Sequence, residues 1–121
     1  MNISIEKKEF IEAVQKSARF AERKAGTLPA LSSILILASG DGIKMRATNL
    51  ETGIDLKLNG KIISEGVVAI PAVILQQIAS SLTSDGTITL EHTGDTLSLK
   101  SGMGKSTLKT VAYDDFPSIP F

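Results

Sequence analysis

Two stretches of the chain repeat one another. Gly40-Asp41-Gly42-Ile43-Lys44-Met45-Arg46 and Gly94-Asp95-Thr96-Leu97-Ser98-Leu99-Lys100 share turn residues, the spacing of their apolar side chains and a closing cation, and they lie about 54 positions apart. A turn followed by an alternating strand is ordinary, but the same pair twice at one separation implies a duplicated unit. The unit then decides the fold.

Each copy has an amphipathic helix upstream and a further strand downstream. The first reads as a strand over Asn2 to Ile5, a helix from about Lys7 to Ala21, and strands near Leu31 to Ser39, Gly42 to Asn49 and Gly53 to Leu58. The second reads as a strand over Gly66 to Ile70, a helix from about Ala72 to Leu82, and strands near Thr87 to His92, Thr96 to Ser101 and Lys105 to Ala112. Phe10, Ala13, Val14, Ser17, Phe20 and Ala21 fall on one side of a helical wheel, while Ile43/Met45/Ala47, Ile54/Leu56/Leu58 and Ile88/Leu90 recur at every second residue. Helices with one apolar stripe need a sheet to lie on, and antiparallel strands with one apolar face supply it. The expected class is α+β: a β-α-β-β-β unit used twice, with two helices on one face of antiparallel sheet and pseudo-twofold symmetry.

Local punctuation agrees. Gly26 can end the first helix, Pro29 stops its continuation, and Pro71 stands where a helix's first turn tolerates a missing N–H. The segment Leu58 to Gly66 reads as the join between halves of about 1–60 and 65–113, and the two prolines of 114–121 mark a strap or linker-like tail. One domain is the natural count for 121 residues, and a fold of that size hides roughly two-thirds of its extended-chain surface. Aromatic residues make up only 4%, so the core must be built from Ile, Leu, Val and Ala. With no cysteine, disulfides and thiolate sites are excluded. No apolar run approaches the ~20 residues that cross a bilayer, and the start lacks the layout of a signal peptide, so a cytoplasmic protein without membrane contact is expected.

Thirteen Lys and Arg balance thirteen Asp and Glu, which argues against a strongly basic nucleic-acid domain. Placement matters more than the sum. The first helix carries Lys8, Glu12, Gln15, Arg19, Glu22 and Arg23 opposite Phe10 and Val14, with Lys24 just beyond. This is either a solvated face with acids early and bases late, as the helix dipole prefers, or a cationic end that touches phosphates loosely. The second helix offers Gln76, Gln77, Ser80 and Ser81, which hydrogen-bond but release no counterions.

Catalytic patterns are thin. Gly102-Met103-Gly104-Lys105-Ser106 imitates a phosphate-binding loop, yet Leu99 stands where that motif needs its first glycine, and Thr107-Leu108-Lys109-Thr110-Val111 alternates like a strand where a helix should follow. It reads as a turn between strands. His92 and Glu91 are neighbours and so point to opposite faces of a strand, which makes His92 an edge or turn histidine. Asp114 and Asp115 lack the further oxygen ligands of a metal site. No catalytic group, metal or cofactor is expected.

The remaining motifs fall in one order along nearly the whole chain: Thr27-Leu28-Pro29-Ala30-Leu31 before an apolar strand, Thr48-Asn49-Leu50-Glu51, Ile70-Pro71-Ala72 before the second helix, Lys100-Ser101-Gly102, and Asp115-Phe116-Pro117. In this the chain resembles the first domain of the bacterial DNA polymerase III beta subunit, the sliding clamp. The resemblance implies the DNA clamp fold and a processivity factor, not a catalyst. In that family three domains per chain and two chains close a ring of six domains, helices lining the hole and sheets forming the shell. It further implies duplex DNA held weakly and without sequence preference, and a replicative polymerase and clamp loader engaged through the full-length clamp. A family member continues past Phe121, so the chain is expected to be a fragment ending in an interdomain linker.

By resemblance, the basic stretch before Thr27-Leu28-Pro29 meets DNA, which points to Arg23 and Lys24; helix geometry adds Arg19, Lys8 and Gln15. The ring continues where a domain edge adds to its neighbour's sheet, which points to Ile74, Lys105, Ser106, Thr107 and Leu108. Relatives often carry bases where this chain has Val73-Ile74, and a large apolar residue where it has Ser106. The alternative is a protein-interaction module that uses the exposed edge strand without touching DNA.

Overall fold

The computed structural model describes residues 1–21, 32–49, 51–83, 85–102 and 104–111. In chain order these form β1 (Asn2–Glu6), α1 (Lys7–Ala18), β2 (Ser33–Ser39), β3 (Gly42–Thr48), β4 (Gly53–Leu58), β5 (Gly60–Ser64), β6 (Gly66–Pro71), α2 (Ala72–Ser81), β7 (Thr87–Thr93), β8 (Thr96–Ser101) and β9 (Gly104–Lys109). The duplicated strand, helix and three strands are therefore present in both halves.

The strands divide between two antiparallel sheets, ordered β5-β1-β7-β8-β9 and β4-β3-β2-β6. The halves exchange their leading strands. β1 pairs with β7, Ile3 opposite Leu90 and Ile5 opposite Ile88, while β6 pairs with β2, Val68 opposite Ile36 and Ile70 opposite Ile34. Each sheet is thus completed by the first strand of the other half, and a single core of both copies' apolar residues fills the space between them. Ile3 and Ile5 take the same places as Val68 and Ile70, Phe10 and Val14 as Leu75 and Ala79, Ile43 and Met45 as Leu97 and Leu99, and all are buried in one cluster. Strand alternation and helical periodicity, both legible in the sequence, put these side chains there.

Three differences from expectation have physical causes. The join between the halves contains β5, which pairs with β1; Lys61-Ile62-Ile63 is short, but Ile62 packs against the core. Gly60 begins that strand because a Cβ there would lie 2.5 Å from the Ser4 carbonyl oxygen and 2.9 Å from Ile43, a close approach only glycine permits. The first helix ends at Ala18, not near Ala21. Its last turn tightens, with the Arg19 N–H donating to the Lys16 carbonyl at 3.3 Å and the Phe20 N–H to the Ser17 carbonyl at 3.0 Å. His92 lies in β7, the middle strand of its sheet, and is neither an edge nor a turn residue; its N–H donates to the Met1 carbonyl at 2.8 Å.

The symmetry reaches the outermost strands. β5 flanks β1, and in the other half Val111 flanks β6, its N–H donating to the Ala69 carbonyl at 2.8 Å. Residues 114–121, read as a linker-like tail, lie outside the described residues, as do Gly26 and Pro29.

One core position is suboptimal. Ser17 on α1 is fully buried, and among the described residues its Oγ has no hydrogen-bond partner. A hydroxyl in that state gives up its water without replacement, and alanine is also the better helix former. Ser17→Ala is expected to raise the unfolding free energy by about 1 kcal/mol, read as a higher denaturation midpoint; an unchanged or lower midpoint would show that the hydroxyl is satisfied.

Candidate nucleic-acid interface

α1 and α2 pack side by side, and their polar faces form one surface. On α1 the core claims Phe10, Ala13, Val14, Ser17 and Ala18. Helical spacing then turns Lys8, Glu12, Gln15 and Arg19 outward as a single stripe, of which Lys8, Glu12 and Arg19 are exposed and Gln15 is half-buried. Lys16 is exposed beside it and stands with Arg19 at the C-terminal end, where the helix dipole favours cations, whereas Lys8 lies in the first turn. On α2 the core claims Ala72, Leu75 and Ala79, leaving Val73, Ile74, Gln77, Ser80 and Ser81 exposed. That helix shows no charge at all.

Gln15 stands at the seam. Its Nε2 donates to Ser80 Oγ at 3.1 Å, its Oε1 accepts from Gln76 Nε2 at 3.0 Å, and the Ser80 hydroxyl donates to the Gln76 carbonyl at 2.8 Å. Both ends of the amide are therefore engaged within the two-helix face, fixing the helices against each other. The start of α1 is held separately. The Lys7 N–H donates to the Gly86 carbonyl at 2.9 Å, and its Nζ, on a residue only 8% exposed, reaches Thr83 Oγ1 at 3.4 Å. A lysine in a helix's first turn gives no sequence signal for that anchoring role.

Beside α1, a groove of about 120 Å³ runs along β4, lined by Glu9, Glu12, Ala13, Lys16, Leu56, Lys57 and Leu58. Glu9 Oε1 accepts the Asn59 N–H there at 2.7 Å. Opposite, at the far edge of the other sheet, β9 exposes Lys105, Ser106 and Thr107, while Leu108 turns inward against Leu97 and is buried. Leu108 thus lends only its backbone to the edge.

The patterns that imitate chemistry separate in space. Gly102, at φ +58°, lies in the turn joining β8 to β9, and a strand follows it. Glu91 faces away from the core and approaches Lys100 at 4.0 Å, whereas His92 lies on the opposite side of the strand, paired with Leu97. Among the described residues no cluster of metal-ligating side chains occurs, and no helix is long and apolar enough to cross a membrane.

Residues 1–120 match the family model described as the N-terminal domain of the DNA polymerase III beta subunit. The chain belongs to that family. The beta sliding clamp of Pseudomonas aeruginosa is 30% identical over 124 residues, an alignment spanning 98% of this chain and 32% of the relative. Among solved structures, the sliding clamp of Caulobacter crescentus superposes with a TM-score of 0.90 at 28% identity, over 100% of this chain and 33% of that one. The Pseudomonas aeruginosa clamp bound to griselimycin gives 0.89 at 28% identity, over 98% and 32%. The chain spans about a third of the length of these relatives. In this beta-subunit domain the basic pair Arg23 and Lys24 lies outside the described residues.

Proposed function

We infer that this chain serves as the first domain of a ring-shaped sliding clamp, a DNA replication processivity factor of the cytoplasm that encircles duplex DNA and tethers the replicative polymerase without catalysing a reaction. The observation that carries this is the two-helix face: polar apart from Val73 and Ile74 at the start of α2, cross-bonded through Gln15, Gln76 and Ser80, and cationic on α1 alone. A surface past which a duplex moves needs enough positive charge to attract the phosphates and few enough fixed contacts to slide. Arg19 and Lys8 supply that charge, with Arg23 and Lys24 continuing it along the chain; Gln15 acts mainly by holding the helices together. The chain is one domain with two pseudo-symmetric halves, and the polymerase and clamp loader meet the complete clamp.

The edge strand β9, with Ile74 beside it, joins a neighbouring clamp domain. The same exposed edge favours a second reading, a protein-interaction module without DNA. Duplex or heparin binding at low salt separates the two. The Arg19, Arg23 and Lys24 triple alanine variant is expected to bind more weakly and to flatten the slope of log K against log salt by about 2–3, at ~0.9 for each phosphate no longer neutralised. Binding and slope both unchanged would overturn the DNA reading.

A further inference from the structure

The fold makes a chemical demand at one corner. Asn59 is the single residue between β4 and β5, where the chain leaves one sheet for the other, and Gly60 follows it. A side chain is excluded at 60, because a Cβ there would strike the Ser4 carbonyl oxygen and the Ile43 side chain. Packing thus sets an Asn-Gly step at the corner, and both residues are exposed. Glu9 Oε1 accepts the Asn59 N–H at 2.7 Å and so holds its backbone, but among the described residues no hydrogen bond occupies the Asn59 carboxamide. Gly60, opposite Ile5, closes the β1–β5 ladder, and the end of a ladder opens at least cost. The other two asparagines of the chain differ on both counts. Asn49 precedes a leucine, and its Oδ1 accepts from the Glu51 N–H at 3.0 Å, the Thr52 N–H at 2.9 Å and the Thr52 hydroxyl at 3.3 Å. Asn2 precedes Ile3, which is β-branched and fully buried on a strand flanked by β5 and β7.

We propose that Asn59-Gly60 is a site of spontaneous covalent modification, at which the asparagine becomes aspartate or isoaspartate with water as the only co-reactant. The Gly60 backbone nitrogen gives its proton to hydroxide and attacks Asn59 Cγ. The bond from Cγ to the amide nitrogen breaks, that nitrogen takes a proton from water and leaves as ammonia, and a cyclic succinimide remains. Glycine favours this step because no side chain shields its nitrogen. Water then opens the ring. Cleavage between the Gly60 nitrogen and Cγ gives aspartate on an unaltered main chain, whereas cleavage between that nitrogen and the Asn59 carbonyl carbon routes the main chain through Cβ and Cγ. No atom changes oxidation state, and each product carries a carboxylate in place of a neutral amide. The isoaspartyl product lengthens the main chain immediately before a glycine packed against Ser4 and Ile43. β5 then loses its register on β1, where Lys61 stands opposite Ser4 and Ile62 opposite Ile3.

Ageing the chain in warm, mildly alkaline buffer tests this. The tryptic peptides 1–7, 47–57 and 58–61 each hold one asparagine. Mass spectrometry is expected to find acid replacing amide in 58–61 about tenfold or more faster than in the other two, a barrier difference of at least ~1.4 kcal/mol, with part of the product a substrate for isoaspartyl methyltransferase. Asn59→Gln, whose ring would be larger, is expected to keep its amide over the same period. The isoaspartyl fraction, separated by anion exchange, is expected to show a lower denaturation midpoint and faster amide exchange over β1 and β5. Asn59→Asp, which has the charge without the added backbone atom, is expected to melt close to the parent chain. The site is overturned if the folded chain keeps its amide at 59 while the same chain in urea converts, or if 58–61 converts no faster than 47–57. The register loss is overturned if the isoaspartyl fraction melts and exchanges as the parent chain does.

Discussion

Residues 1–65 and 66–121, produced as separate polypeptides, are each expected to lack a cooperative unfolding transition, and mixing them in equal amounts is expected to restore one. The cause is the exchange of leading strands. In the first fragment β1 loses β7 and β2 loses β6, so Ile3, Ile5, Ile34 and Ile36 keep their own half's helix but lose the strands that complete their sheets. The second fragment suffers the mirror loss. A piece of about 60 residues already buries only ~60% of its extended-chain surface, and here much of that burial is against the missing half. Far-ultraviolet circular dichroism with thermal melting decides the matter. A cooperative melt from residues 1–65 alone would mean that the duplicated unit is self-sufficient and that the exchange is incidental.

That exchange is the part of the fold least legible in the sequence. Periodicity locates both helices and the repeated strands because each signal is local: Ile43, Met45 and Ala47 alternate regardless of what they pair with. Pairing between halves leaves no such local mark, so one continuous sheet and two sheets sharing a core give the same pattern. β5 is hidden for a related reason. Gly60-Lys61-Ile62-Ile63-Ser64 has too few residues to show alternation, and its identity as a strand comes from β1 beside it.

The functional face is legible to the extent that it follows from helix geometry. Lys8, Glu12, Gln15 and Arg19 share a stripe because spacings of three and four do so in any α-helix. What spacing does not encode is occupancy: Gln15 is committed to Gln76 and Ser80, partners more than sixty residues away in the chain. The β9 edge shows the same limit. Lys100 and Lys105 look like ordinary surface lysines until the hairpin sets them opposite one another, where the first copy pairs Arg46 with Asp55.

The largest single-residue effect is expected at Phe10. Among the described residues it heads the fully buried side chains by volume, in a chain with only four phenylalanines, and it lies on the helix that packs against strands of both sheets. Phe10→Ala removes the ring's transfer free energy and leaves a void that close-packed Ile and Leu neighbours cannot fill without moving, a combined loss of about 3–5 kcal/mol. Against a typical total of roughly 5–15 kcal/mol, the variant should sit near the margin of folding and melt more than about 10 °C lower. Phe10→Leu keeps most of the volume and is expected to lose less than about 1.5 kcal/mol. Because Phe10 faces away from the polar stripe, the leucine variant should retain duplex binding at low salt, while the alanine variant should lose it in step with its folded fraction. Urea titrations of both proteins measure the two losses. A loss below about 1 kcal/mol for Phe10→Ala, well under the range for burying a phenyl ring, would show that α1 is not pinned to the sheets through this side chain.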